Sequence, residues 1–227
     1  AISIKGGGHN VAGHAVADGA LMLDLSGMRA VTVDPAGRIA RVQGGALWAD
    51  VDAATQTHGL ATPGGLISDT GVAGLTLSGG VGWLRSRHGL AIDNLLSAEV
   101  VTADGAVLEV SPTSHLDLLW ALKGGGGNFG VVTRFDLALH RIGPEVMFAA
   151  PIYPISAGSA PIRFWRDFLA DKSDRVGSLV EFSTIPESPD YPEEFWGVRC
   201  YTMAAVYAGE AAEGERLLQP LRELGPM

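Results

Sequence analysis

Thirty-one of the 227 residues are glycine, and they are bunched rather than periodic. Three runs stand out: Gly6-Gly7-Gly8, Gly79-Gly80 with Gly82, and Gly124 through Gly127. They are clustered between apolar runs of the chain, so neither a collagen repeat nor a flexible linker fits. Glycine inside a packed chain marks backbone that adopts φ > 0 or passes close to another group. Successive N–H groups in such turns form concave anion sites that suit phosphate. One run alone reads equally well as a tight turn, but three within the first 130 residues point to a large phosphate-bearing ligand.

The remaining composition narrows the class. A hydrophobic fraction of 47% supports a sizeable core in one large domain or two modest ones. Lys+Arg number 16 against 25 Asp+Glu, and the net charge of -9 provides no electrostatic reason to bind nucleic acid or anionic lipid. Glycines or charges interrupt every apolar run short of a membrane span. The lone cysteine, Cys200, offers neither an internal disulfide nor a thiolate-rich metal site; it reads as a buried strand thiol and favours a cytoplasmic setting. The expected partner is a small molecule, with no nucleic acid, no membrane and no specified oligomeric state.

Apolar patterning predicts a mixed chain. Strands are expected at Ile2 to Lys5 and Leu21 to Leu25, and a hairpin at Ala30 to Val33 and Ile39 to Val42 around Asp34-Pro35-Ala36-Gly37. A helix spans Leu47 to His58, ending at Gly59. Leu60 to Gly82 shows no period and reads as irregular, ligand-facing chain. Leu95 to Val101 and Ala106 to Val110 form a second hairpin. A short helix, capped by Thr113 or Ser114, runs to Lys123, and a strand covers Val131 to Leu139. A domain boundary is placed at Gly143-Pro144, giving domains 1–143 and 144–227. Beyond it strands are expected at Val146 to Tyr153, Leu179 to Ile185 and Val198 to Tyr207, with helices at Ile162 to Ala170 and Glu210 to Leu224. Pro220 should kink or restart the last helix.

Familiar nucleotide motifs fail. Gly125, Gly127 and Gly130 satisfy G-x-G-x-x-G, but a helix precedes them and a strand follows, the reverse of a Rossmann turn. No P-loop is present. His14, His58, His88, His115 and His140 are scattered without metal-binding spacing, so each reads as solvated or structural and no metal site is expected. His9 differs, since it projects from the first glycine run.

Three blocks carry a family likeness: "KGGGHNVAG" at Lys5 to Gly13, "TGVAGLTLSGGVGWLRSRHGLAIDNL" at Thr70 to Leu95, and "LDLLWALKGGGGNFGVVT" at Leu116 to Thr133. Together they resemble the flavin domain of FAD-linked oxidases related to berberine bridge enzyme, in the vanillyl-alcohol oxidase superfamily. The resemblance implies an α+β fold: a two-subdomain PCMH-type FAD-binding domain followed by the start of an antiparallel-sheet substrate domain. It implies that Gly6, Gly7, Gly8 and Asn10 hold the FAD pyrophosphate and that His9 is bonded covalently to the flavin 8α carbon. A proton lost from the flavin 8-methyl leaves a carbon that a neutral imidazole can attack, and such a link raises the flavin potential. Gly71, Gly74 and Val132 match further FAD contacts, and Gly79 and Gly80 the close pass under the ring. Trp83 and His88 lie near that ring loop.

Departures refine the expectation. Many relatives carry a second link through a cysteine where "GGLISDTG" has Ile67, so a single link through His9 is expected. Lys5 stands where arginine is common. Relatives extend further at both ends, so the sequence is expected to be a fragment. The implied reaction oxidises a CH–OH or CH–NH group by hydride transfer to flavin N5, with oxygen as acceptor. No catalytic base is assigned: Tyr153, Tyr201 and Tyr207 read as core or sheet residues. A flavin-binding module without turnover is the alternative.

Overall fold

The computed structural model describes residues 1–172 and 174–224. The chain divides into two compact units, Ala1–Pro144 and Glu145–Met227.

In the first unit, β1 (Ile2–Lys5) pairs in parallel with β2 (Leu21–Asp24). Next come β3 (Val31–Asp34), β4 (Ile39–Gln43), α1 (Trp48–Gln56), β5 (Leu60–Ala61), α2 (Val72–Leu77) and α3 (Arg85–His88). The unit closes with β6 (Leu95–Val101), β7 (Val107–Val110), α4 (Leu116–Leu122), β8 (Val131–Ala138) and β9 (His140–Arg141). Five strands form one antiparallel sheet in the order β3-β4-β8-β6-β7, and β5 pairs with β9. Strand alternation divides the sheet cleanly. Ala40, Val42, Ala98, Val100, Phe135 and Leu137 face the core with no exposure. Their neighbours Arg41, Glu99, Arg134 and Asp136 form an ionic network on the opposite face, with Arg134 Nη2 2.6 Å from Glu109 Oε2.

Both predicted hairpins form, and their turn residues act as expected in one case only. Gly105 takes φ +83° between β6 and β7. In the β3–β4 turn it is Arg38, at φ 53°, that adopts the left-handed conformation. Gly37 is needed there because a Cβ would lie 2.5 Å from Asp34 Oδ2, whose carboxylate gathers the turn amides of Ala36 and Gly37.

Two expectations for this unit are corrected. The segment Leu60 to Gly82 is not wholly irregular, since it contains β5 and α2. Gly74 depresses helix propensity there, but burial of Val72, Ala73, Thr76 and Leu77 on one side of α2 overrides it, and Gly71 stands at the N-cap. Helix α4 is not capped by Thr113 or Ser114. Ser111 and Ser114 exchange backbone hydrogen bonds and the Thr113 hydroxyl meets Ser111 Oγ, so His115, left-handed at φ 54°, occupies the cap.

The second unit is built around β13 (Arg199–Tyr207). Along one edge lies β12 (Val176–Thr184), in register from Val176 opposite Tyr207 to Thr184 opposite Arg199. The other edge is shared by β10 (Met147–Ala149) and β11 (Ile152–Pro154). The single strand expected at Val146 to Tyr153 is thus broken at Ala150-Pro151, because Pro151 has no N–H for the ladder. Helices α5 (Ala160–Leu169) and α6 (Ala211–Glu223) pack their apolar stripes with Met147, Ala149, Val176 and Tyr207. Helix α6 runs through Pro220 without restarting. An interior proline costs about 3 kcal/mol, whereas the fully buried Leu218 and Leu221 flanking it contribute about 1.5–3 kcal/mol each. Burial offsets the break.

Candidate functional site

Short helix α2 is where the three glycine runs meet. At its N-terminal end Gly71 touches Gly7: a Cβ on Gly7 would stand 2.4 Å from Gly71 Cα, and one on Gly71 would stand 2.4 Å from Gly7 N. At its C-terminal end the chain turns through Gly79 (φ 112°) and Gly80 (φ 82°), whose carbonyls accept from Ile92 and Ala91 N–H. The third run arrives through Gly126, whose N–H donates to Leu77 O at 3.1 Å. Val132 joins through its backbone: its carbonyl lies 2.3 Å from where a Cβ of Gly44 would be, and Gly44 O lies 3.2 Å from that of Gly6. The Val132 side chain itself is buried in the core. Gly6, Gly7, Gly71, Gly74, Gly79, Gly80 and Val132 therefore belong to one neighbourhood.

The first loop has the character of an anion cradle. Among the described residues, no carbonyl receives the amides of Gly7, Gly8 or His9, which leaves those N–H groups available as donors. Gly8 is left-handed at φ 69°. Asn10 shapes the exit, its Oδ1 accepting from Ala12 N–H at 2.9 Å and its carbonyl from Gly13 N–H at 3.0 Å. Lys5 closes the base of the loop with an ion pair to Asp24 at 3.1 Å. Asp24 is held down to about pKa 2, first by the Ser26 amide, next by the Ser26 side chain and then by Lys5. At Gly74 a Cβ would meet nothing within 4 Å. A helical glycine costs about 1 kcal/mol relative to alanine, and no protein neighbour of Gly74 requires it. The space beside α2 suits a flat ligand passing close to backbone, and the donor set suits a pyrophosphate.

Several participants are not evident from linear sequence. Gly44 and Gly45 cross other strands at backbone contact, a Cβ on Gly45 falling 1.7 Å from Leu25 O. Asp50, in the first turn of α1, accepts from Leu47 N–H at 2.8 Å and grips Arg29 with both oxygens, which lowers its pKa. This anchors α1, whose first amides donate to Thr70 O and Ser68 O in the approach to α2. Asp69 reaches His9 Nε2 at 3.2 Å. The only signal for Asp69 in the sequence was an acid beside the second glycine block.

The histidines, read as scattered, include a pair. His88 and His140 stack with centroids 3.8 Å apart at 16°. His140 Nε2 meets Asn94 Oδ1 at 2.7 Å, while the Asn94 amide donates to His88 O and Leu90 O. That arrangement ties the chain after Gly80 to β9. Burial, then His140 and Arg87, lower His88 to about pKa 4; burial, then Arg38 and Arg87, also lower His140. The unfolded chain, with histidine near 6.5, binds more protons than the folded one between those values, so stability rises with pH across about 4 to 6.5. The denaturation midpoint is expected to fall from pH 7 to pH 4. His88→Phe, which keeps a stacked ring and discards a buried Nε2 that has no partner among the described residues, should flatten that slope; an unchanged slope in chemical unfolding would refute the assignment.

In the second unit Tyr153, Tyr201 and Tyr207 are buried, whereas Tyr191 is exposed. Tyr201 donates to Gly158 O at 2.8 Å and Tyr207 to Glu213, whereas Tyr153 OH has no partner among the described residues. Cys200 is a buried residue of β13. Among the described residues no helix is long and apolar enough to cross a membrane.

Comparison with known proteins agrees with this geometry. A family model described as an FAD binding domain matches residues 1–111. The FAD-linked oxidoreductase pgmH of Aspergillus terreus is 36% identical over 210 residues, covering 91% of this chain and 41% of that protein. The crystal structure of 6-hydroxy-D-nicotine oxidase from Arthrobacter nicotinovorans superposes with a TM-score of 0.86 at 32% identity, over 99% of this chain and 48% of that one. Berberine bridge enzyme, at 24% identity, shares the fold with a TM-score of 0.81 over 100% of this chain and 45% of that one. The chain spans less than half the length of these relatives. The matched FAD domain, the similar FAD-linked oxidoreductases and these superpositions together show that the chain belongs to the FAD-linked oxidoreductases and has a PCMH-type FAD-binding fold, which berberine bridge enzyme shares.

Proposed function

We propose that this chain binds FAD through the loops that meet on α2 and, in the whole protein, oxidises a CH–OH or CH–NH group of a small molecule with oxygen as acceptor. The convergence of the three glycine runs on one short helix carries the reading. Residues 1–143 are assigned to the FAD-binding domain and residues 144–227 to the beginning of a substrate-binding domain. Bound FAD supplies the two-electron acceptor at N5.

The residues present have definite tasks. Gly6, Gly7, Gly8 and Asn10 offer backbone donors to the pyrophosphate. Gly71 lets the N-terminal end of α2 approach the first loop, Gly74 keeps the exposed side of α2 free of a side chain, Gly79 and Gly80 let backbone pass beneath the ring, and Val132 holds Gly44 against the first loop. His9, exposed at the end of that loop, is the single covalent anchor. Ile67 is 55% exposed on the segment where a second, cysteinyl link occurs in relatives, and its side chain cannot form one.

The test is to denature and precipitate the full-length protein and measure flavin absorbance retained by the polypeptide. Stoichiometric retention is expected. Complete release of FAD would refute covalent attachment at His9, and absence of flavin before denaturation would refute the function itself.

A further inference from the structure

His9 and Asp69 are brought together by the contact between Gly7 and Gly71. The backbone carrying Asp69 is pinned on both sides, with Thr70 N–H donating to Ile67 O at 3.1 Å and the α1 amides of Trp48 and Ala49 donating to Thr70 O and Ser68 O at 3.0 and 2.9 Å. From this support Asp69 Oδ1 stands 3.2 Å from His9 Nε2. The side chains are 45% and 74% exposed, and an ion pair so open contributes about 0–1 kcal/mol at best. That is too little to fold the loop, so stability does not explain the pairing. Orientation does. The approach is an ion-pair distance without hydrogen-bond geometry, and a carboxylate so close to Nε2 favours electrostatically the imidazole form with its proton on Nε2, leaving the lone pair on Nδ1.

We infer that Asp69 is a positioning residue for covalent attachment of FAD: it holds His9 in the Nε2–H form, aims Nδ1 at the cofactor and receives the Nε2 proton as the bond forms. This rests on the proposed covalent FAD. The atoms balance as follows: His9 Nδ1 bonds to the 8α methyl carbon, that carbon loses one proton to water, and Nε2 loses one proton through Asp69. The two electrons released pass to dioxygen, yielding hydrogen peroxide.

Full-length apoprotein, prepared from riboflavin-limited cells and mixed with FAD in air, provides the test through the time course of acid-precipitable flavin. Asp69→Ala is expected to slow attachment roughly tenfold to a hundredfold, the range found when a carboxylate that orients a metal-ligating histidine is removed. Asp69→Asn, which keeps a dipole beside Nε2 without the charge, should be intermediate. In a His9→Ala background, adding Asp69→Ala should leave reversible FAD binding unchanged. Imidazole 15N shifts of the apoprotein should show the Nε2–H form in the wild type and a mixture in Asp69→Ala. Attachment at the wild-type rate in Asp69→Ala overturns the inference alone, as does a parallel loss of reversible binding, which would make Asp69 a binding residue. Absence of attached flavin in the wild type overturns the covalent reading and this inference with it.

Discussion

In the His9→Ala variant, flavin that stays with the wild-type polypeptide through denaturation is expected to be released in full. On the proposed reading His9 is the single link: the position matched to a second, cysteinyl link is Ile67, and the sole cysteine, Cys200, is 2% exposed within a strand of the second unit. Reversible binding should survive, because the Gly7, Gly8 and His9 amides belong to the backbone and remain when the imidazole is removed. Redox titration of the reconstituted variant should show a lower flavin potential. For a two-electron couple each 30 mV lost removes about 1.4 kcal/mol of driving force, so a slower reductive half-reaction is expected alongside an intact cradle. Retention of flavin by the denatured variant would place the anchor elsewhere.

Gly71→Ala should do comparable damage by a different route. Its backbone, φ -67° and ψ 134°, is open to any residue, so conformational strain plays no part. The added methyl would lie 2.4 Å from Gly7 N and 2.6 Å from Gly7 Cα, and backbone atoms cannot rotate away. The loop and α2 must separate, at about 1–3 kcal/mol or more for overpacking, equivalent to several degrees in Tm, with FAD affinity falling as the cradle opens. Gly74→Ala is the informative control. Its methyl meets no protein atom within 4 Å, and alanine favours a helix by up to about 1 kcal/mol over glycine. The apoprotein should be equally or more stable, yet bind FAD more weakly, if the cofactor fills that space. Thermal unfolding with and without FAD separates the effects, and a Gly71→Ala protein of wild-type Tm would show that the loops are not in contact.

Local chemistry made much of this readable in advance. Alternating apolar residues and turn formers placed both hairpins of the large sheet, since strand and turn signals reside in contiguous residues. The glycine runs announced a phosphate ligand, and His9 stood out by adjacency. Helix α2 was hidden because Gly74 argues against helix locally, and its stability comes from burial against distant chain. The cap at His115 was missed because the Ser111 and Thr113 hydroxyls were committed to their own turn. Pro151 split a strand that hydropathy alone drew as continuous.

The kind of ligand, and the imidazole proposed to tether it, were therefore set along the chain, because glycine amides and an imidazole keep their chemistry in any fold. Their usefulness as a site was decided in three dimensions. Gly7 meets Gly71, Gly126 meets Leu77, and Asp69 meets His9, all between segments with no local reason to associate. Those contacts follow from burying the core beneath the sheet, and a periodicity reading has no access to which distant backbone such burial will press against a glycine.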